Sequence, residues 1–244
     1  MKDVMTTHRF DSHLVSFTEP ASFAAEQYQG LRLTIERLAR TRGAQVIAVS
    51  SPAAGEGKTV TAINLAGALA RGSDARVLLV DADLRRPAVA RNLGLADGHV
   101  NGLADIIANE QSELANGARA LEPFGMSVVP AGTPHPAIHR ILRSPRLEHL
   151  LGEARTRYDF VVVDTPPLLP VFDSALLARI VDGLLLVVAA HRTPRKLLGE
   201  ALNLVDPTKV LGIVFNRDDR PLFGYYDEYY REYFTESSGV ASQA

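Results

Sequence analysis

An α/β fold is predicted, with a mainly parallel sheet covered by helices on both faces. Three observations carry that expectation. Short Val/Leu/Ile/Ala runs recur without polar alternation, as in Arg76–Asp81, Phe160–Asp164 and Gly183–Ala189. Such runs mark strands buried on both faces, the habit of parallel sheets. Between them lie stretches with apolar residues at helical spacing, and the alternation of the two is the α/β pattern. Polar phrases stand just after the apolar runs, where open α/β sheets bind ligands.

The elements follow in order. Residues 1–20 are mixed and unpatterned, so a flexible N-terminus is expected. From Ala21 to Arg42, Phe23, Tyr28, Leu31, Ile35 and Leu38 recur at helical spacing, with Pro20 before and Gly43 after as start and stop. Gln45–Ser50 reads as a buried strand entering a glycine loop, and Thr59–Arg71 as an alanine- and leucine-rich helix. Arg76–Asp81 is a second strand. Short helices are expected around Pro87–Asn92 and Gly102–Asn109, and a short strand over Met126–Pro130. Pro145–Thr156 reads as helix, Phe160–Asp164 as strand, Ser174–Val181 as helix and Gly183–Ala189 as strand. Pro194–Val205 and Val210–Asn216 close the series as helix and strand. The chain thus divides into residues 1–20, a nucleotide-binding domain over 21–216 and an appended tail over 217–244.

Composition narrows the function. The 244 residues suit one domain with short appendages, and 46% apolar residues are ordinary for a globular chain. A net charge of -2 gives no reason to expect nucleic acid as partner. The chain has no cysteine, which removes disulfides and thiolate metal sites. The apolar runs fall far short of the roughly 20 residues of a membrane-spanning helix. A cytoplasmic protein is expected, held at the inner face of the plasma membrane, if at all, by another molecule.

Three phrases carry chemistry. Ser50-Ser51-Pro52-Ala53-Ala54-Gly55-Glu56-Gly57-Lys58-Thr59 sits between a predicted strand and a predicted helix. Glycines there let backbone N–H groups turn inward around phosphate oxygens, and the helix start adds its positive end. Gly55, Glu56, Gly57, Lys58, Thr59 and Val60 are the candidate nucleotide contacts. Lys58 would reach the β- and γ-phosphates of ATP, and the Thr59 hydroxyl would face Mg²⁺. The strict phosphate-loop pattern has glycine where this chain has Pro52.

The second phrase is Val77–Pro87, an apolar strand ending in Asp81-Ala82-Asp83-Leu84-Arg85-Arg86. Period-2 geometry puts Asp81 and Asp83 on one side. Beside a triphosphate, one could hold Mg²⁺ and the other accept the proton of an attacking hydroxyl. Arg85 and Arg86 could contact phosphate or a phosphorylated partner. The plainer alternative is that Asp81 caps the next helix. The third phrase, Val161-Val162-Val163-Asp164-Thr165-Pro166-Pro167, ends a strand in a further candidate metal ligand, Asp164. The roles of the three carboxylates stay undivided. His135, His139, His149 and His191 lack metal-ligand spacing and read as surface or structural.

Near the end, Tyr225, Tyr226, Tyr229, Tyr230 and Tyr233 hold five of the seven tyrosines, interleaved with Asp227, Glu228 and Glu232. Their i, i+4 spacing would suit a packed helix face. Their place near the chain end, after Pro221 and Gly224, favours a segment free to act as phosphoryl acceptor.

Together, these phrases resemble the bacterial tyrosine kinases of polysaccharide export. Ser50–Thr59 is similar to that family's Walker A motif, Asp81–Pro87 to its modified second Walker motif, Asp164–Pro167 to its Walker B, and Tyr225–Tyr233 to its tyrosine-rich tail. The likeness runs from about Ala21 to Tyr233. It implies a MinD/ParA-like ATPase fold and transfer of the γ-phosphate of ATP to tail tyrosines of a neighbouring subunit. It also implies a ring-shaped homo-oligomer, a separate membrane-spanning activator, catalytic roles for Lys58, Asp81, Asp83 and Arg85, and Asn216 beside the adenine. The family's ring helix reads Glu-x-x-Arg-x-x-Arg; this chain has Glu26, Gln29 and Arg32 and departs at the first arginine. The competing reading is a MinD/ParA-like switch ATPase. That group carries a further lysine five positions before Lys58, where this chain has Ala53. A third reading is a regulatory ATP-binding subunit of an export complex.

Overall fold

The computed structural model describes residues 10–218 apart from 73, 96–100 and 172. The tyrosines of 225–233 lie outside the described residues. Seven strands form one sheet in the order β3-β4-β2-β5-β1-β6-β7. They are β1 (Val46–Ser50), β2 (Val77–Asp81), β3 (Arg119–Leu121), β4 (Met126–Val129), β5 (Phe160–Asp164), β6 (Gly183–Ala189) and β7 (Val210–Asn216). All pairs are parallel except β3 with β4.

The central strands β1, β2, β5 and β6 are buried along their whole length. Their side chains alternate between two cores. Ile47, Val49, Leu79, Val162 and Val187 meet α1 (Val15–Thr18), α2 (Phe23–Arg42), α3 (Lys58–Gly72) and α4 (Val89–Asn92). Ala48, Leu78, Val80, Val163 and Leu186 face the other way. There they meet α5 (Leu103–Ala108), α6 (Ile138–Leu142), α7 (Pro145–Arg157), α8 (Asp173–Ile180) and α9 (Arg195–Leu202). Both faces being covered is the reason these strands read as unbroken apolar runs.

Sheet order places the site. The chain leaves β1 for α3 on one face, and leaves its neighbour β5 for α8 on the other. Crevices open where adjacent connections depart to opposite faces, outside the carboxyl ends of the strands. The phosphate loop follows β1, and Asp164 ends β5.

The N-terminus departs from expectation. Residues 10–18 are packed against α3, with Leu14 and Phe17 buried. The Ser16 N–H donates to the Asn64 side-chain oxygen at 2.8 Å, and the Ser16 hydroxyl donates to the Asn64 carbonyl. Phe17 lies above Gly67, where a Cβ would come within 2.5 Å of its ring, and stacks edge-on to Phe124 at 4.9 Å. Four apolar residues spaced irregularly over nine positions leave no periodic trace, so the anchor was invisible as a pattern. Phe17→Ala is expected to lower the unfolding free energy by about 3–4 kcal/mol, the usual loss for a buried ring. Urea denaturation reads this; a loss below about 1 kcal/mol would contradict the anchor.

Helix α2 starts at Phe23, two residues later than expected, because the Ser22 hydroxyl accepts from the Ala25 N–H and caps it. It ends at Gly43, whose φ of 68° suits glycine. Arg32 points inward along this helix. It donates to Gln29 at 2.9 Å, to Glu36 at 2.7 Å and to the Gly72 carbonyl at the end of α3. Gln29, standing where the resembled motif has arginine, is thus a partner that orients Arg32. Besides α1, two elements were not anticipated, β3 and α6. Both are under six residues, too short to show a period.

Candidate active site

The loop between β1 and α3 has the geometry that its glycines imply. Gly55 and Gly57 have φ of 81° and 94°, a region that L side chains rarely adopt. Asn216, at the end of β7, donates its Nδ2–H to the Glu56 carbonyl at 2.9 Å, packed directly over Gly57. The Glu56 side chain is buried and turned inward. Its carboxylate accepts from the Ala53 N–H and from the Thr193 hydroxyl, which staples the loop to the β6–α9 connection. Only the backbone of Glu56 is therefore left for a phosphate. Val60, one residue into the first turn beyond Thr59, packs on the α1–α4 core, so its backbone is likewise what it offers.

Lys58 opens α3 and reaches across the crevice. Its Nζ donates to Asp83 at 2.7 Å and to the Thr59 hydroxyl at 3.3 Å, and lies 3.7 Å from Asp164. Burial works against its charge, but Asp164 and Asp83 outweigh that and hold Lys58 above the ordinary lysine value. The Thr59 hydroxyl donates to the second Asp164 oxygen at 2.7 Å. Asp164 is fully buried; burial pushes its carboxyl up to about 6, against the pull of Lys58 and Thr59.

The two carboxylates of the second phrase diverge. Asp81, the last residue of β2, sits in register beside Asp164. Its oxygens accept from the backbone N–H groups of Asp83, Ala88 and Val89, so it caps the turn entering α4. Burial, then the neighbouring Asp164 charge, push it up to about 7. The expectation that Asp81 and Asp83 share one side fails for a simple reason. The strand ends at Asp81, so period-2 alternation no longer applies at residue 83. Asp83 turns to Lys58, while Asp81, expected as a metal ligand, is engaged with backbone.

Arg85 is also not free in the crevice. Its Nε donates to Asp173 at 2.6 Å, and its Nη2 lies 2.8 Å from His139 Nε2. His139 Nδ1 lies 2.9 Å from the other Asp173 oxygen. Asp173, Ser174 and Thr193 were not anticipated. Single polar residues at helix starts carry no pattern, and only the fold brings them to the site. The same connection is tied to the phosphate loop's strand: the hydroxyls of Ser50 and Ser174 both donate to the Pro166 carbonyl.

Among the described residues, no group of three or more carboxylate or imidazole side chains is placed to hold a metal ion alone. The donor set instead fits Mg²⁺ held jointly with nucleotide phosphates, which takes one or two carboxylates. Thr59 offers its hydroxyl, and the Asp164 oxygen facing Lys58 is buried without a hydrogen-bond partner.

Comparison with known proteins bears on the family and the fold. Residues 44–195 match the AAA domain family model. The chain is 31% identical over 223 residues to the tyrosine-protein kinase YwqD of Bacillus subtilis strain 168, covering 89% of this chain and 92% of that one. The chain belongs to the bacterial tyrosine kinase family. It is 32% identical over 234 residues to the succinoglycan biosynthesis transport protein ExoP of Rhizobium meliloti strain 1021, covering 90% of this chain but only 29% of that protein's length. Among solved structures, the kinase domain of Escherichia coli tyrosine kinase ETK superposes with a TM-score of 0.78 at 27% identity, over 87% of this chain and 84% of that one. ParA and MinD ATPases share the fold at 21% and 22% identity. The expected family and fold class are thereby borne out. Among the described residues, no helix is long and apolar enough to cross a membrane.

Proposed function

We propose that this protein is an ATP-dependent protein-tyrosine kinase whose acceptors are the tyrosines of residues 225–233 in a second copy of the chain. The observation that carries the reading is the convergence of Lys58, Thr59, Asp83 and Asp164 at the carboxyl ends of β1, β2 and β5. Phosphoryl transfer asks little covalent chemistry of a protein and depends on positioning and charge. Glycine-loop N–H groups and Lys58 hold the β- and γ-phosphates. Thr59 and Asp164 would hold Mg²⁺, which neutralises charge on the transferring group. Drawing Lys58 onto the phosphates releases Asp83 from its ion pair. Asp83 is then the carboxylate left to take the tyrosine proton as the phenol oxygen bonds to phosphorus and ADP leaves. Asp81 holds the turn that presents Asp83.

The kinase names of YwqD and ETK, and the transport name of ExoP, support a place in polysaccharide polymerisation and export. The work would be done as a homo-oligomer at the inner face of the plasma membrane, under a separate membrane-spanning activator. The test is incubation with ATP and Mg²⁺, with and without an activator fragment, and phosphosite mapping by mass spectrometry. Phosphotyrosine confined to Tyr225–Tyr233 supports the kinase. Steady ATP hydrolysis with an unmodified tail under both conditions replaces it with a switch ATPase.

A further inference from the structure

Glu56 puts a carboxylate in the loop that receives anionic oxygens, and the residue is only 5% exposed. A buried carboxylate needs hydrogen bonds to offset its lost hydration. One oxygen accepts the Ala53 N–H at 3.3 Å, and the other accepts the Thr193 hydroxyl. The Thr193 oxygen in turn accepts the Ala189 N–H at 3.2 Å. The next residue, Ala190, donates its N–H to the Asn216 carbonyl at 2.7 Å. Asn216 then returns to the start, its Nδ2–H donating to the Glu56 carbonyl at 2.9 Å. The contacts form a closed circuit that runs from Glu56 through Thr193, Ala189, Ala190 and Asn216 back to Glu56.

The circuit sits where two strands end. Ala189 and Asn216 are the last pair of the parallel β6–β7 ladder, and β6 is a neighbour of β1 in the sheet. Glu56 is therefore fixed at both ends, its carboxylate from the β6 side and its carbonyl from the β7 side. The backbone is strained at the same place. Among the described residues, His191 and Arg217 are the two non-glycine positions with positive φ, at 59° and 58°. Each directly follows a residue of the circuit, and His191 Nε2 lies 3.4 Å from Asp218 Oδ1 across the gap. Left-handed backbone outside glycine persists only where the surroundings hold it, and it gathers at functional sites. What the circuit secures is the path of residues 54–58, whose N–H groups are the candidate phosphate donors. It also turns a negative charge away from the phosphate site.

We propose that Thr193 is a positioning residue for nucleotide binding, acting through the Glu56 carboxylate to hold the phosphate loop in its receiving shape. The proposal rests on the nucleotide-binding reading of the loop, but the first of its two readouts needs no nucleotide. That readout is hydrogen exchange at the backbone amides of residues 54–58 in the nucleotide-free full chain. Thr193→Val keeps the side-chain shape and removes the hydroxyl. It is expected to speed exchange at these amides about tenfold beyond any change at the β2 amides, the factor that one hydrogen bond to a charged group supplies. Thr193→Ser, which keeps the hydroxyl, is expected to restore the wild-type rate.

The second readout is calorimetric titration with ADP and Mg²⁺. Thr193→Val is expected to bind about tenfold more weakly than the wild type, and Thr193→Ser within about twofold of it. Glu56→Ala supplies the background that shows the route. With no carboxylate to hold, adding Thr193→Val should weaken ADP binding by less than about twofold further, although it still strips Ala189 of its acceptor. An effect of full size in that background would mean that Thr193 acts through β6, and it overturns the proposal. Unchanged loop exchange in Thr193→Val overturns it too, as does faster exchange with unchanged ADP affinity. If Glu56→Ala does not fold, the exchange and affinity of the valine variant, with their rescue by serine, decide alone. A wild type that shows the exchange effect yet takes up no ADP leaves the circuit standing as a brace of the loop and removes the nucleotide reading.

Discussion

Lys58→Met is expected to reduce tyrosine phosphorylation by about 10²–10³-fold or more, the scale seen when one preorganised charge-stabilising donor is removed from a reacting oxygen. The same change is expected to make the nucleotide-free protein's stability depend steeply on pH. In the wild type, Asp81 is pushed up to about 7 and Asp164 to about 6, both above the ordinary value of 3.8. A carboxyl raised in the folded state holds its proton more tightly than in the unfolded chain. Stability is therefore greatest below pH 4 for these two groups and is lost as pH climbs through 6 and 7. Lys58 is raised as well, so its contribution is complete below the ordinary lysine value and does not shape this window. Removing its charge leaves Asp83 and Asp164 buried without a cation, and Asp164 rises further. A loss of about 3 kcal/mol is expected at pH 8, where Asp164 is ionised, and much less at pH 5, below the value of about 6 to which it is raised. Urea denaturation at the two pH values separates the outcomes. An equal loss at both would mean that Lys58 acts by packing and not by charge.

The legible part of this protein is the part governed by continuous patterns. Strands β1, β2, β5 and β6 announced themselves because burial on both faces demands unbroken apolar runs. The phosphate loop did so because Gly55 and Gly57 occupy backbone regions closed to other residues, leaving a fixed spacing to Lys58 and Thr59. Asp164 followed as the polar end of a buried strand. What stayed hidden depends on tertiary contact. Asp81 and Asp83 looked equivalent, and only the end of β2 between them sends one to α4 and the other to Lys58. His139 is the surface histidine that the sequence suggests, 65% exposed, but its neighbours Arg85 and Asp173, 54 and 34 positions away, could not be read from its spacing. Phe17 looked like part of a loose end because the groove it fills is made by Gly67 and Phe124.

Gly57→Ala is expected to weaken nucleotide binding by tenfold to about a hundredfold while leaving the fold intact. Two effects act together, and they can be separated. The first is conformational. A φ of 94° lies outside what alanine tolerates, and holding it there costs about 1–3 kcal/mol. The second is steric. An added Cβ would stand 2.0 Å from Asn216 Nδ2, so Asn216 must swing away and release the Glu56 carbonyl that it holds. The loop then loses its tether to β7 as well as its shape. Isothermal titration with ADP and Mg²⁺ measures the loss, and the double variant Gly57→Ala/Asn216→Ala divides it. Removing the amide relieves the overlap but not the φ strain. The double variant should therefore bind less tightly than Asn216→Ala alone, yet fall below it by less than Gly57→Ala falls below the wild type. Wild-type affinity in Gly57→Ala would mean that the loop abandons this geometry when nucleotide binds. In that case the glycine spacing would no longer account for how the phosphates are held.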